Sequence, residues 1–273
     1  MPDAIPRFLN RPTLDCPRLE HGQKMAFLIE AAHATAAWAV LMQKGAQFKV
    51  EPLWSGTPFQ AQMAQGPSWF VVNAQCVDGL AKVCHQRPAG IALACADPVQ
   101  ALAHARTLLS MTPSGVLAIH DPVIWAALAM ENVGQHACLF GPWHEVYTPV
   151  PAVDPTAHQW HVWEAETPAT GPCQYPLTFP DTLYSTYTDI RWLHWLRQYP
   201  QHFAQVPDPE LPRVISNLDF FVKHGIGADG HLLQLSALVT HGDLREREDL
   251  LPILTSHQRP HHRVEQLLQE LQP

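Results

Sequence analysis

The sequence predicts an α/β protein: an N-terminal α/β lobe built on a mostly parallel or mixed sheet, followed by a small all-helical lobe. Three observations carry this. From Met25 onward, short apolar, β-branched runs alternate with helical segments, the pattern of a sheet layered with helices. Two of those runs echo one another, Gly90-Ile91-Ala92-Leu93-Ala94-Cys95-Ala96-Asp97-Pro98-Val99 and Gly115-Val116-Leu117-Ala118-Ile119-His120-Asp121-Pro122-Val123. Beyond Pro180 the apolar residues change to helical spacing.

Taken in order, a strand from Met25 to Ile29 precedes an Ala-rich helix from Ala31 to Gln43. A strand around Phe48 to Leu53, a short helix from Phe59 to Ala64 and a strand from Trp69 to Val72 follow, then a helix from Val77 to His85. Each echoed run reads as glycine, a buried strand, then Asp-Pro-Val opening a helix. Aspartate is a preferred N-cap because its carboxylate accepts the orphan N–H groups of the first turn. Proline fits the first helical position, where no donor is needed. Asp97-Pro98 and Asp121-Pro122 are therefore structural turns that start helices Val99 to Ser110 and Val123 to Met130. Strands near Cys138 to Phe140 and Trp160 to Trp163 add an antiparallel edge.

The stretch from Thr148 to Pro180 carries Pro149, Pro151, Pro155, Pro168, Pro172, Pro176 and Pro180, and its second half marks a domain boundary. The expected division is an α/β lobe over 20–167, a Pro-rich linker over 168–180 and a helical lobe over 181–273. In that last lobe Trp192, Trp195, Leu196 and Tyr199 fall at i, i+3, i+4 and i+7, one helical stripe. The run Val214 to His224 ends at Gly225, in the position of a helix-terminating glycine. His231 to His241 and Glu246 to Thr255 are further helices, and Val264, Leu267, Leu268 and Leu271 give the last one its apolar face.

Composition narrows the function. Of 273 residues, 47% are apolar and only 15% charged, well under the usual ~25%. A net charge of −8 with no basic block argues against a nucleic-acid partner. Met1 to Glu20 has no apolar core of a secretory signal, and no apolar run nears the ~20 residues of a membrane span. A soluble, cytoplasmic protein without membrane contact is expected. The six cysteines form no CxxC pair and sit mostly in apolar runs, which reads as buried reduced thiols more than as disulfides or a zinc cage. Nine tryptophans exceed what such a core needs, and tryptophan is enriched at protein interfaces.

Candidate chemistry is sparse. Asp97, His120 and Asp121 would stand at the carboxyl ends of neighbouring strands, where open α/β sheets bind ligands. A histidine beside two carboxylates suits acid–base work, so a small hydrolase or transferase is the alternative reading. Capping already explains both aspartates. His158, His161 and Glu164 form an HxxHxxE run, but on a strand the odd separation sends the two histidines to opposite faces. His257, His261 and His262 flank Pro260 and fit a polar loop or helix start. Gly66-Pro67-Ser68-Trp69-Phe70 is not the GxSxG of a nucleophile elbow, and no phosphate-binding glycine motif occurs. No catalytic residue, cofactor or metal is expected. Tyr184, Tyr187, Trp192, Trp195 and Tyr199 are candidate partner-binding residues. They form an aromatic surplus beside the domain boundary that suits a groove for a partner helix, while a plain core stripe also fits them.

The order of motifs resembles a bacterial family. Ala26-Phe27-Leu28-Ile29-Glu30-Ala31-Ala32 is similar to its opening strand and acidic turn, and Leu53-Trp54-Ser55-Gly56-Thr57 and Gly66-Pro67-Ser68-Trp69-Phe70-Val71-Val72 to its next two signatures. Leu102-Ala103-His104-Ala105-Arg106-Thr107-Leu108-Leu109, followed by Ile119-His120-Asp121-Pro122-Val123, resembles its central helix and aromatic-Asp-Pro turn. Phe140-Gly141-Pro142 and Val222-Lys223-His224-Gly225-Ile226 resemble later blocks. The family is that of the type VI secretion effector chaperones or adaptors of the Tap/Tec type, and the likeness spans Met25 to Gly242. It departs at Ala118 and Val123, where the family often has arginines, and at Ile119 and His120, in place of an aromatic pair. The resemblance implies a non-catalytic cytoplasmic adaptor. Such a protein would hold a toxic effector in an interlobe groove and load it onto the VgrG spike for delivery.

Overall fold

The computed structural model describes residues 4–45, 48–85, 89–109, 116–152, 154, 156–165, 177 and 179–270. In chain order its elements are α1 (Ala4–Leu9), β1 (Thr13–Leu14), β2 (Lys24–Ile29), α2 (Ala31–Gln43), β3 (Lys49–Pro52), a 3₁₀ segment (Gln60–Gln65), β4 (Ser68–Val72), α3 (Ala74–His85) and β5 (Gly90–Cys95). Next come α4 (Pro98–Leu109), α5 (Pro122–Glu131), α6 (His136–Phe140), β6 (Trp143–Pro149) and β7 (Trp160–Glu164). Helices dominate the rest: α7 (Thr182–Gln198), α8 (Pro200–Phe203), α9 (Leu211–Lys223), α10 (Asp229–Gln234), α11 (Ser236–Thr240), α12 (Leu251–Leu254) and α13 (Pro260–Gln269). The chain divides into two compact units, a sheet unit over Asn10–Tyr187 and a helical unit made of Met1–Leu9 with Thr188–Pro273.

The sheet unit contains a seven-stranded sheet in the order β1-β7-β6-β5-β2-β4-β3. Every neighbouring pair is antiparallel, which corrects the expected parallel or mixed sheet. The strand–helix alternation is present, but the crossovers through α2 and α3 each skip a place. The pair β2 and β3, joined by α2, leaves room for β4, and the pair β4 and β5, joined by α3, leaves room for β2. Interleaved split β-α-β units of this kind put antiparallel neighbours where alternation alone suggests parallel ones. Burial reinforces the misreading. All of β5 is buried, and all of β2 except Lys24. Strands covered on both faces read as continuous apolar runs, the signature usually met in parallel sheets.

One face of the sheet packs against α2 and α3 through a core that includes Phe27, Phe70, Ala92 and Tyr147 with Leu41, Leu80 and Cys84. Toward the other face, Arg106 of α4 reaches the Leu53 carbonyl at 3.1 Å and the Glu51 carboxylate at 3.4 Å. Trp143 donates its indole N–H to the Ala101 carbonyl at 3.2 Å. Trp69, Trp125, Trp143, Trp160, Trp163 and Trp192 are buried, so most of the tryptophan surplus fills core.

Three element expectations change. The second echoed run forms no strand over its described residues: 116–118 are irregular and 119–120 turn, while Ser110 and Gly115 lie outside the described residues. Both sides of β5 are already taken by β2 and β6. The Ile119 and Asp121 amides bond locally instead, to the Leu117 and Ala118 carbonyls at 2.8 and 2.9 Å. Cys138 to Phe140 is helical, within α6, and the strand β6 begins just after it. β7 lies between β6 and β1 and is therefore not the edge.

Cys16, Cys76, Cys84 and Cys95 are free thiols. Burial raises the pKa of Cys84, and raises that of Cys95 to about 11 with a smaller push from Asp97. Cys138 is disulfide-bonded, against the expectation of reduced thiols throughout. Cys173, Pro168, Pro172 and Pro176 lie outside the described residues.

In the helical unit, α9 buries Leu211, Val214, Ile215, Leu218 and Phe221 along one face. It ends at Gly225 (φ 76°), where the Ile226 amide donates to the Phe221 carbonyl at 2.9 Å; this is the expected glycine stop. Fully buried Asn217 donates to the Val239 and Gly242 carbonyls at 2.9 and 2.8 Å and accepts from the Leu244 amide at 3.1 Å. Arg263 donates to the His224 and Leu254 carbonyls at 2.6 and 2.7 Å. These two side chains satisfy backbone groups that short helices leave open. Among the described residues no helix is long and apolar enough to cross a membrane.

Candidate functional site

One apolar concavity in the sheet unit starts from the second Asp-Pro turn. The Asp121 carboxylate accepts the Val123 and Ile124 amides at 2.8 and 3.3 Å, and Pro122 occupies the first turn. The cap fixes the start of α5, a helix apolar on nearly every side, with Val123, Trp125, Ala126, Ala127, Leu128, Ala129 and Met130 buried. At its far end Glu131 accepts the Thr186 hydroxyl at 2.9 Å and also the Thr182 hydroxyl. A carboxylate holding two hydroxyls ties the first turns of α7 to α5.

Between these segments lies a pocket of about 220 Å³ lined by Leu117, Ile124, Ala127, Leu128, Leu183, Tyr184 and Tyr187. Its wall is apolar, and Tyr184 stands at its side 77% exposed. Pockets for drug-sized ligands run to ~300–1,000 Å³ and carry a few convergent polar groups. This one is smaller and lacks them, which suits one or two apolar side chains of a protein partner better than a cofactor.

The expected aromatic set is divided. Tyr184 and Tyr187 line this pocket in the sheet unit. Trp192, Trp195 and Tyr199 belong to the helical unit, where Trp195 packs against Trp192, Tyr199 and Phe203 at centroid distances of 5.5, 5.0 and 5.5 Å. Trp192 is buried and Trp195 half-buried, as core aromatics are. Tyr199 falls just beyond α7 (φ −120°, ψ 59°), because the following Pro200 disfavours helical backbone before it.

The expected polar group is also divided. Asp97 caps α4, accepting the Val99 and Gln100 amides at 2.8 and 3.3 Å. It follows the Cys95 end of β5, which pairs with Lys24. Asp121 feels the charge of Glu30, which follows Ile29 at the opposite end of β2. Antiparallel pairing thus separates Asp97 from Asp121 by about the length of a six-residue strand, ~17–20 Å. Burial raises the pKa of Asp121, opposed by its two amide bonds. Burial likewise holds His120 down to about 4, and its Nδ1 has no hydrogen-bond partner among the described residues.

The histidine runs disperse as well. His158 precedes β7 and stacks with His85 at 5.1 Å, whereas His161 is buried in the strand. His261 and His262 lie exposed in the first turn of α13. Among the described residues no group of three or more His, Cys, Asp or Glu could hold a metal ion.

Glu131, Leu117, Ile124 and Leu183 were not singled out from sequence. Their apolar members have the pattern of core residues, and nothing in the local sequence marks Glu131 as the acceptor of hydroxyls more than fifty residues away. No protein-family model, curated protein or solved structure matches this chain.

Proposed function

We propose that this chain is a non-catalytic, cytoplasmic chaperone or adaptor of a bacterial type VI secretion system, which binds a toxic effector and loads it onto the VgrG spike. The observation that carries the reading is the apolar pocket between α5 and the first turns of α7, with exposed Tyr184 beside it. An exposed apolar concavity on a soluble protein marks an interaction site. A chaperone uses such a site to cover an effector segment that would otherwise aggregate, and stabilises the bound form by mass action. The ordered motif series from Ala26 to Ile226 supports the same assignment, with the central Asp-Pro turn bracing α5, one wall of the pocket.

The hydrolase or transferase alternative loses its support with the separation of Asp97 from Asp121. Four free thiols fit a reducing compartment and the disulfide at Cys138 counts against it. Co-expression with the effector encoded beside this gene tests the function. Soluble effector should rise and the two proteins should co-purify, and deletion of the chaperone should abolish secretion of that effector alone. Absence of co-purification together with unchanged secretion would sink the proposal.

A further inference from the structure

β3 is an outer strand of the sheet, paired among the described residues on one side only, with β4. The Leu53 amide donates to the Pro67 carbonyl at 2.9 Å, and alternate residues share that phase. Lys49 and Glu51 therefore bond toward β4, and the N–H and C=O of Val50 turn outward. Pro52 offers no N–H, and its carbonyl accepts from Arg106 at 3.3 Å, so the free edge closes there. The side chains sort by face: Phe48, Val50 and Pro52 on one, Lys49 and Glu51 on the other. On the apolar side α2 carries Trp38, 43% exposed and edge-on to Phe48 at 5.0 Å, and Met42, 67% exposed.

We propose that this edge pairs with the same edge of a second copy, antiparallel about a two-fold axis at Val50. In that register Val50 and Val50 of the partner subunit exchange two N–H···O bonds. Lys49 faces Glu51 of the partner subunit, and Glu51 faces Lys49 of the partner subunit. On the other face Phe48 meets Pro52 of the partner subunit. The strand is self-complementary in charge on one face and in apolar character on the other, and directly opposed unlike charges favour pairing. Lys49, largely exposed, pairs with Glu51 within the strand at 2.6 Å, and Glu51 also faces Arg106 at 3.4 Å, so the cross-strand pairs form by exchanging the Lys49–Glu51 contact for its counterpart across the axis. The contact is isologous and closes at two chains. Pro52 keeps the edge too short to template open-ended growth.

Sedimentation of the full chain over a range of micromolar concentrations tests this. Wild type should approach twice the mass of one chain. Val50→Pro, which removes an outward N–H and leaves the β4 ladder intact, should weaken association about tenfold or more. Lys49→Glu and Glu51→Lys should each be monomeric alone, and an equimolar mixture should recover the dimer, since each then faces opposite charge. Melting temperatures near wild type show that the variants fold, and the mixture carries the decision if Val50→Pro does not. A wild-type monomer throughout, or a dimer indifferent to these changes, overturns the proposal. So does a monomer whose Val50 amide gains exchange protection only when effector is added, which would give the edge to another protein's strand.

Discussion

Asp97 and Asp121 show how far a single residue type can be read. Both accept two first-turn amides at 2.8 and 3.3 Å, so the echoed Asp-Pro-Val runs produce the same cap twice. Capping is a local interaction between near neighbours, which is why it was legible in the sequence. Their distance from one another was not, because it depends on how strands pair. Asp121→Ala should cost ~1 kcal/mol of stability, read from urea unfolding, with effector binding by the folded variant unchanged. Asp121→Asn should stay close to wild type, since it keeps an acceptor and removes a charge that burial disfavours. A loss of effector capture by folded Asp121→Asn would instead assign the carboxylate a direct role.

At the scale of elements, existence and position were legible where periodicity was strong. α2 occupies the expected span, and β2, β4 and α3 lie within a few residues of theirs. Strand sense was not legible, because a buried antiparallel strand and a parallel one both need apolar residues on two faces. The seven-residue strand β6 escaped notice because Trp143-His144-Glu145 breaks its apolar pattern. The strand was expected just upstream, at Cys138 to Phe140, where α6 runs and stops at Gly141 (φ 53°). The register of β2 on β5 has a specific requirement at Gly90. A Cβ there would fall 2.1 Å from the Leu28 carbonyl oxygen and 3.0 Å from the Ile29 Cα. Backbone at the centre of a sheet has no room to yield, so Gly90→Ala should destabilise by at least ~2 kcal/mol. A melting temperature equal to wild type would show that the β2–β5 register differs from the one described.

At the scale of the whole molecule, two sets of buried groups carry opposite proton linkage. In the sheet unit burial holds His85, His120 and His161 down to about 4, with smaller contributions to His85 from His158 and to His161 from Arg11. Unfolded histidine titrates near ~6.5, so between pH 6.5 and 4 the unfolded chain binds more protons. Stability of that unit should fall through this window as pH drops. In the helical unit burial, helped by Asp219, pushes Asp189 up to about 6, so the folded form binds the extra proton. Its contribution is present below the unfolded value of ~3.9 and is lost as pH rises through about 6. Asp189→Asn should therefore stabilise by ~1 kcal/mol at pH 7, after allowance for solvent screening at this half-buried site, and change little at pH 4. Calorimetry across this range checks both signs, and an Asp189→Asn gain that is equal at both pH values would contradict the second. The proposed function rests on the pocket, which no local pattern revealed because its walls come from separate stretches of chain. The most direct measurement is co-purification of the co-expressed effector with wild type, Tyr184→Asp and Ile124→Asp, each verified as folded by its melting curve. Capture at the pocket requires stoichiometric effector with wild type and its loss with both variants; undiminished effector on both folded variants would contradict it.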